Sequence, residues 1–142
     1  MKKVKEFHKK MELAIDQPFS KELLEFRMKL ILEEVKELAE VGFQLEGNID
    51  QGETYVLLQD FLKEICDVVY VLKGTAVSFG MDFDKAYALV HKANMSKYPF
   101  TKCEHGKVLK GKNYKPPVLE ECVWINLLSE HKLLRGELII DR

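Results

Sequence analysis

The sequence has few of the residues that mark disulfide-stapled or zinc-stapled proteins. Its three cysteines, Cys66, Cys103 and Cys122, are an odd number without CxxC spacing, so a disulfide framework is not expected. Cys103 and His105 have no second ligand pair, which argues against a closed zinc site. The fold must therefore be held by its core.

Long hydrophobic runs and an excess of one charge sign are also missing. No apolar stretch approaches the roughly 18 residues that a membrane span needs, and the lysine-rich start lacks an apolar signal core. A net charge of −1 over 142 residues gives no electrostatic reason to expect nucleic acid or an anionic membrane as a partner. We expect a cytoplasmic protein that binds neither nucleic acid nor membrane.

The dominant pattern in the sequence is helical periodicity. It predicts helices over residues 4–13, 21–41, 54–79, 83–96 and 119–134, with Ser20 and Asp82 as N-caps and an ordered loop or short hairpin after Pro99. The third helix is apolar over much of its circumference, so it should be the most buried. A few short helices cannot easily cover such a surface, which predicts a homodimer or tetramer.

Acidic residues lie on the apolar faces of the second and third helices. A helical wheel centred on Glu34 places four neighbours within about 60°: Leu30, Glu37, Leu38 and Val41. A wheel centred on Glu64 places four within about 60° of it: Leu57, Phe61, Val68 and Asp67. Both pairs of carboxylates therefore lie at the edge of a core-facing stripe.

Four converging carboxylates predict a metal site. Glu34, Glu37, Glu64 and Asp67 could not all stay ionised in a poorly solvated space without a compensating cation. Ligands that are all oxygen atoms favour Mg²⁺, with Mn²⁺ as the alternative. The competing interpretation is an ordinary surface helix on which Lys36 pairs with its acidic neighbours.

The acidic residues form an EExxE pattern followed by ExxD, matched by Glu33, Glu34, Glu37, Glu64 and Asp67. In this pattern the chain resembles the MazG-like, all-α nucleotide pyrophosphohydrolase superfamily, which includes dimeric dUTPases and phosphoribosyl-ATP pyrophosphohydrolases. The likeness continues through residues 67–76, 79–82, 91–97 and 106–117. It implies an all-α fold of four-helix-bundle type over residues 1–118, with an irregular tail. Residues 119–142 would be an extension of unknown role packed on the same domain.

The resemblance also implies an activity and a set of site residues. Members hydrolyse a nucleoside triphosphate between its α and β phosphates, which here suggests control of the nucleotide pool. Glu33 and Glu34 would be the catalytic residues, and Glu33 would either hold a further metal or orient the attacking water. Seven residues would bind the substrate: Asn94, Lys97, Lys107, Lys110, Asn113, Tyr114 and Gln17.

Simpler interpretations exist for several of these residues. Asn94 and Lys97 also suit the polar end of any helix, and the lysines of residues 107–112 suit a solvated loop. Two alternative functions follow: hydrolysis of phosphoribosyl-ATP, or a non-catalytic helical protein that binds a nucleotide or a partner.

Overall fold

A computed structural model describes residues 1–47 and 50–123 of the chain. Within these residues lie five helices, here named in chain order: α1 (Lys2–Lys10), α2 (Lys21–Gly47), α3 (Gln51–Ser78), α4 (Phe83–Met95) and α5 (Glu120–Val123). The β-pairing in the described part is one antiparallel bridge between Lys102 and Val108. The prediction of an all-α fold is confirmed. None of the described helices is long and apolar enough to cross a membrane.

The chain divides into two compact units, residues 1–79 and the residues from Gly80 onward. The first unit is built on α2 and α3, which form an antiparallel hairpin. Arg27, near the start of α2, donates to Val71 O near the end of α3. Gly42, late in α2, lies against the ring of Phe61 in the first half of α3. Acidic residues from the middle of each helix are therefore brought to the same height.

Helix α1 packs on α3 and ends earlier than its periodicity predicts. Phe7 meets Tyr70 edge to face, with ring centroids 5.5 Å apart. The helix stops after Lys10 because Glu12 takes a left-handed φ of 55° and Leu13 N then donates to His8 O. Glycine usually occupies that position, so a glutamate there gave no signal of the helix end.

The connection between α1 and α2 is fixed to the C-terminal end of α3. Asp16 N donates to Val77 O at 3.0 Å, and Gln17 N donates to Ser78 O at 2.8 Å. Carbonyls at a helix end need such partners, because the helix itself cannot supply them. Helix α2 then begins as predicted after Ser20, whose hydroxyl accepts from Leu23 N.

Both long helices extend further than predicted at the ends facing residues 48–49. Helix α2 continues through Gly42 to Gly47, since one interior glycine costs only about 1 kcal/mol and packing on α3 outweighs it. Helix α3 begins at Gln51 rather than Thr54, because the Asp50 carboxylate accepts from Gly52 N and Glu53 N.

Helix α3 carries five buried residues, more than any other described helix, yet much of its apolar surface stays exposed. Tyr55 is 69% exposed and Leu62 is 61% exposed, although both are apolar side chains on this helix. The residues of α3 that are buried lie mostly near its C-terminal end, where α1 and the connection cover it. The wide apolar surface read from the sequence is real, but one copy of the chain leaves much of it in solvent.

In the second unit, α4 begins after Asp82, whose side chain accepts from Lys85 N as predicted. Lys85 in turn pairs with Glu121 at 2.6 Å. Residues 101–109 form a narrow loop around Gly106, whose φ is 76°, and the bridge closes this loop. Of the predicted last helix, residues 119–123 fall in the described range, and residues 120–123 are helical. The rest of it lies outside the described residues, and the assignment of residues 119–142 to an extension stays a prediction.

Candidate metal centre

Helix geometry brings three glutamates together in the first unit. Glu34 and Glu37 lie one turn apart on α2, and Glu64 lies opposite them on α3. Each offers one carboxylate oxygen, and these three oxygens all lie within 4.8 Å of one another. We call Glu34, Glu37 and Glu64 the acidic group. The structure thus brings together three of the four acids that the sequence predicts to converge.

Glu64 is the most deeply placed member of the acidic group. The residue is 7% exposed, whereas Glu34 is half-buried and Glu37 is exposed. Its Oε1 accepts from Lys63 Nζ at 2.9 Å, but its buried Oε2 has no hydrogen-bond partner among the described residues. Leaving a buried carboxylate oxygen unsatisfied costs free energy. A cation at the acidic group would satisfy it.

The pKa of Glu34 also reflects the uncompensated negative charge at the acidic group. It is raised above the ordinary glutamate value, first by burial and then by the negative charges of Glu37, Asp67 and Glu64. The positive charge of Lys63 opposes the rise. The acidic group therefore holds more negative charge than its surroundings compensate.

Lys63 is a component of the site that sequence reasoning missed. Its ammonium lies 2.9 Å from Glu64 Oε1 and 3.0 Å from Asp67 Oδ2. These two hydrogen bonds raise the pKa of Lys63, so the side chain stays charged. The spacing of four residues between Lys63 and Asp67 was an available signal, because such pairs meet on a helix surface.

Two acids of the predicted site lie outside the acidic group. Asp67 is close enough to raise the pKa of Glu34, but its own carboxylate is paired with Lys63. Glu33 is exposed on α2. The roles of Asp67 as a metal ligand and of Glu33 as a base or a further ligand stay predictions.

Gln17, one of the seven predicted substrate residues, lies in the connection between α1 and α2. Its side-chain Nε2 donates to Ile15 O at 2.8 Å, and its backbone nitrogen donates to the end of α3. The neighbouring Phe19 stacks on the buried Phe79, with ring centroids 6.1 Å apart. The structure therefore uses the amide donor of Gln17 within the connection itself.

The other six predicted substrate residues all belong to the second unit. Asn94 is exposed near the end of α4, and Lys97 is half-buried just beyond it. We call residues 106–117 the glycine-lysine segment. Ser96 connects the end of α4 to this segment, because its hydroxyl accepts from Lys115 N at 2.8 Å. Gly111 is packed so closely that an added Cβ would lie 2.6 Å from Pro99 O and 2.9 Å from Lys97 O.

The glycine-lysine segment is thus docked on the end of α4 rather than loose in solvent. Lys110 Nζ lies 4.8 Å from the centroid of the Tyr114 ring, a cation–π distance. Asn113 Nδ2 donates to Tyr98 O, and Lys107 O accepts from Cys103 N. The structure brings these residues together within their own unit. Their role in binding substrate stays a prediction.

The donor set of the acidic group suits a hard divalent cation. All its potential ligand atoms are carboxylate oxygens, which Mg²⁺ and Mn²⁺ prefer. The unsatisfied Oε2 of Glu64 is an independent observation in favour of this fit. The residues present therefore fit a metal.

The fold and the acidic group together define an all-α protein with a carboxylate cluster between two antiparallel helices. The sequence model of the phosphoribosyl-ATP pyrophosphohydrolase family matches residues 4–94. This match spans more than half of the chain, and the chain belongs to that family. It is therefore a pyrophosphohydrolase, an enzyme that hydrolyses phosphoric anhydrides, and enzymes of this family are generally metal-dependent. A search of curated proteins found no match.

The family match includes the whole acidic group and Asp67 but ends at Asn94. Lys97 and the glycine-lysine segment lie beyond it. The resemblance read from the acidic pattern is confirmed by this match.

Proposed function

We propose that the chain is a Mg²⁺-dependent nucleoside triphosphate pyrophosphohydrolase, with Mn²⁺ as an alternative metal. It cleaves the substrate between the α and β phosphates and releases a nucleoside monophosphate and pyrophosphate. The observation that carries this proposal is the acidic group with its unsatisfied Glu64 oxygen. In the cell this activity would remove unwanted nucleotides from the cytoplasmic pool.

The acidic residues have separable roles in this proposal. Glu34, Glu37 and Glu64 hold the metal, and Asp67 joins them from one turn further along α3. A bound divalent cation would neutralise phosphate oxygens and lower the pKa of a coordinated water. Lys63 pairs with Glu64 and Asp67 and offsets part of their charge when no metal is bound. Because Glu33 is exposed one residue before Glu34, it either orients the attacking water or holds a further metal.

The second unit carries ammonium and amide groups of the kind that bind phosphate oxygens. Lys97, Lys107 and Lys110 carry ammonium groups, and Asn94 and Asn113 carry amide donors. Docking of the glycine-lysine segment on the end of α4 limits the conformations of these side chains before substrate binds. Such preorganisation lowers the entropy cost of binding.

A nucleotide panel with product identification tests the proposal. Purified protein with Mg²⁺ is incubated with the common (d)NTPs and with phosphoribosyl-ATP, and both products are identified by chromatography. We expect a monophosphate and pyrophosphate in equal amounts from at least one nucleoside triphosphate. Formation of a diphosphate and orthophosphate, or no product at all, would contradict the proposal.

Phosphoribosyl-ATP is the second candidate substrate, and the family match favours it. Its hydrolysis breaks the same bond, so the acidic group could serve either substrate. We rank it second because the sequence continues past the family match into the docked glycine-lysine segment. A higher kcat/KM for phosphoribosyl-ATP than for every nucleoside triphosphate would reverse this ranking.

We also propose that two copies of the chain pack through α3. Exposed apolar residues recur along this helix with alternating spacings of three and four, the pattern of a helix–helix seam: Tyr55, Leu58, Leu62, Ile65, Val69 and Leu72. A stripe that large would be costly to leave in water.

Light scattering tests the assembly. We expect at least twice the 16.5 kDa chain mass for the native protein and a monomeric mass for Leu62→Glu. Val118→Glu, at a 69% exposed position in the second unit, is the matched control and should leave the mass unchanged. A native monomer at micromolar concentration would contradict the proposed assembly.

A further inference from the structure

Arg27 is a buried cation in the hairpin of the first unit, apart from the acidic group. The residue is 4% exposed. Its Nη2 donates to Val71 O at 2.8 Å, and its Nε donates to Thr75 Oγ1 at 3.2 Å. The Thr75 hydroxyl itself donates to Val71 O at 2.9 Å. Arg27 is thus held on α3 by two uncharged oxygens, and burial lowers its pKa.

The backbone of α3 leaves a space for this guanidinium at Gly74. A Cβ added there would lie 2.5 Å from Arg27 Nη2 and 2.9 Å from His8 Nε2. His8 is 2% exposed, and its Nδ1 donates to Ala14 O at 2.8 Å. Helices α1, α2 and α3 therefore meet at a point that only a glycine on α3 permits. We call Arg27, Gly74 and Thr75 the arginine clamp.

A buried arginine is an expensive way to join two helices. Removing a charge from water costs several kcal/mol, and well-packed apolar residues often give equal or greater stability. The best-attested benefit of such a group is fixing register, because a forked donor fits its acceptors in one alignment only. Apolar side chains would tolerate a slip between α2 and α3.

The arginine clamp lies two helical turns from the acidic residues on each of the two helices. Arg27 precedes Glu34 by seven residues on α2, and Gly74 follows Asp67 by seven residues on α3. Seven residues are two turns, about 10.5 Å along a helix. The clamp and the acids therefore lie on the same faces of the same two helices. A slip of one residue would rotate the facing side chains by about 100° and separate the carboxylates.

We propose that Arg27 is a positioning residue for the metal centre. Its hydrogen bonds to Val71 and Thr75 fix the alignment of α2 with α3, and this alignment brings Glu34 and Glu37 to Glu64. This inference rests on the acidic group being the metal site of the proposed function. Arg27 touches neither metal nor substrate in this role. It acts through the two helices.

Calorimetric titration with Mn²⁺, without nucleotide, tests the inference on the full chain. Arg27→Met keeps the length of the side chain but removes both donors. Thr75→Val removes one acceptor at nearly constant volume. Thr54→Val is the matched control, because it removes a hydroxyl that donates to Asp50 O at the other end of α3. Helical circular dichroism and a thermal melt of each protein report folding separately.

We expect Arg27→Met and Thr75→Val to keep their helical signal and to bind Mn²⁺ at least about tenfold more weakly, as loss of a group that orients ligands does. Thr54→Val should bind like the native chain. If Arg27→Met does not fold, Thr75→Val alone decides the result. If the folded variants bind Mn²⁺ with the native affinity, the positioning role of Arg27 is contradicted and the metal site itself is not. Failure of the native chain to bind Mn²⁺ would overturn both.

Discussion

The hairpin of α2 and α3 carries charged side chains at two positions along its length, the arginine clamp and the acidic group. The two positions differ in how these charges are compensated. At the arginine clamp one cation is satisfied by two uncharged oxygens of α3. At the acidic group three carboxylates meet, and Glu64 keeps a buried oxygen without a partner among the described residues. The clamp thus finds two acceptors within the chain, whereas the free Glu64 oxygen would be satisfied by an added cation.

The difference indicates a structural role for the arginine clamp and a metal-binding role for the acidic group on the same pair of helices. Groups that are fully satisfied contribute order, and groups left unsatisfied are candidates for ligands. Substitutions at the clamp should therefore act on stability and alignment. Substitutions at the acidic group should act on metal binding and turnover.

The largest expected effect is loss of turnover in Glu64→Gln. The amide keeps the shape of the side chain but removes the charge and one acceptor oxygen. We expect kcat/KM with Mg²⁺ to fall by more than about a hundredfold, beyond the loss seen for groups that only orient ligands. A steady-state pyrophosphate assay measures it.

Glu121→Gln, which alters a carboxylate of the second unit paired with Lys85, is the control and should retain activity. Turnover by Glu64→Gln within threefold or so of the native rate would remove the acidic group from the mechanism.

The next largest effect is expected at the clamp, in Gly74→Ala. The new Cβ would overlap Arg27 Nη2 at 2.5 Å, and overpacking of this kind costs about 1–3 kcal/mol. Gly42→Ala is the matched control on α2, since its Cβ would lie 3.6 Å from the Phe61 ring, an ordinary contact. That change should be neutral or stabilise the helix by up to about 1 kcal/mol. Urea denaturation compares them, and equal stability changes would contradict the close packing at Gly74.

A smaller effect, on Mn²⁺ affinity, is expected when the ammonium group of Lys63 is removed in Lys63→Met. Lys63 offsets negative charge beside the acidic group, so its loss should strengthen Mn²⁺ binding to the nucleotide-free protein. One unit charge a few ångström away in a water-like dielectric changes affinity roughly threefold to tenfold. Lys21→Met, which removes another pair with an acid four residues away, is the control. Weaker Mn²⁺ binding in Lys63→Met would make Lys63 a support of the site rather than a competitor.

The smallest effect is expected in the pH dependence of the metal-free protein. Because the folded-state pKa of Glu34 is raised above 4.5, the folded chain holds this proton more tightly than the unfolded chain. The stability from this group is thus full below about pH 4.5 and is lost as pH rises through the folded-state pKa. Glu34→Gln should flatten that slope, raising Tm near neutral pH by at most about 2 °C, since solvent screens the group.

Glu25→Gln, at an exposed ion pair of the same helix, is the matched control. Thermal melts in a chelator at several pH values make the comparison. A Glu34→Gln slope equal to the native slope would show that Glu34 carries no excess proton affinity.

The comparison also explains how much the sequence could predict. The acidic group follows from helical periodicity, because four acids on apolar faces are anomalous wherever the helices lie. Arg27 gave no comparable signal, since its acceptors are a backbone carbonyl and a hydroxyl that look ordinary in a sequence. Gly74 looked like a simple interior glycine until the close approach of Arg27 and His8 was visible.

The predicted helix boundaries were wrong where local backbone geometry, rather than residue type, decides where a helix begins or ends. The end of α1 depends on Glu12 in a left-handed conformation, and the start of α3 depends on the side chain of Asp50. The exposure of many apolar residues of α3 could not be predicted, because periodicity reports only which residues are apolar. It does not say whether the same chain or another copy covers them.

The most direct test of the metal centre is a Mn²⁺ titration followed by electron paramagnetic resonance, in which free Mn²⁺ gives the sharp signal. Native protein and Glu64→Gln are titrated without nucleotide at neutral pH. We expect the native chain to remove the free-ion signal saturably and Glu64→Gln to leave most of it. Equal depletion by both proteins, or no depletion by the native chain, would contradict a metal site at Glu34, Glu37 and Glu64.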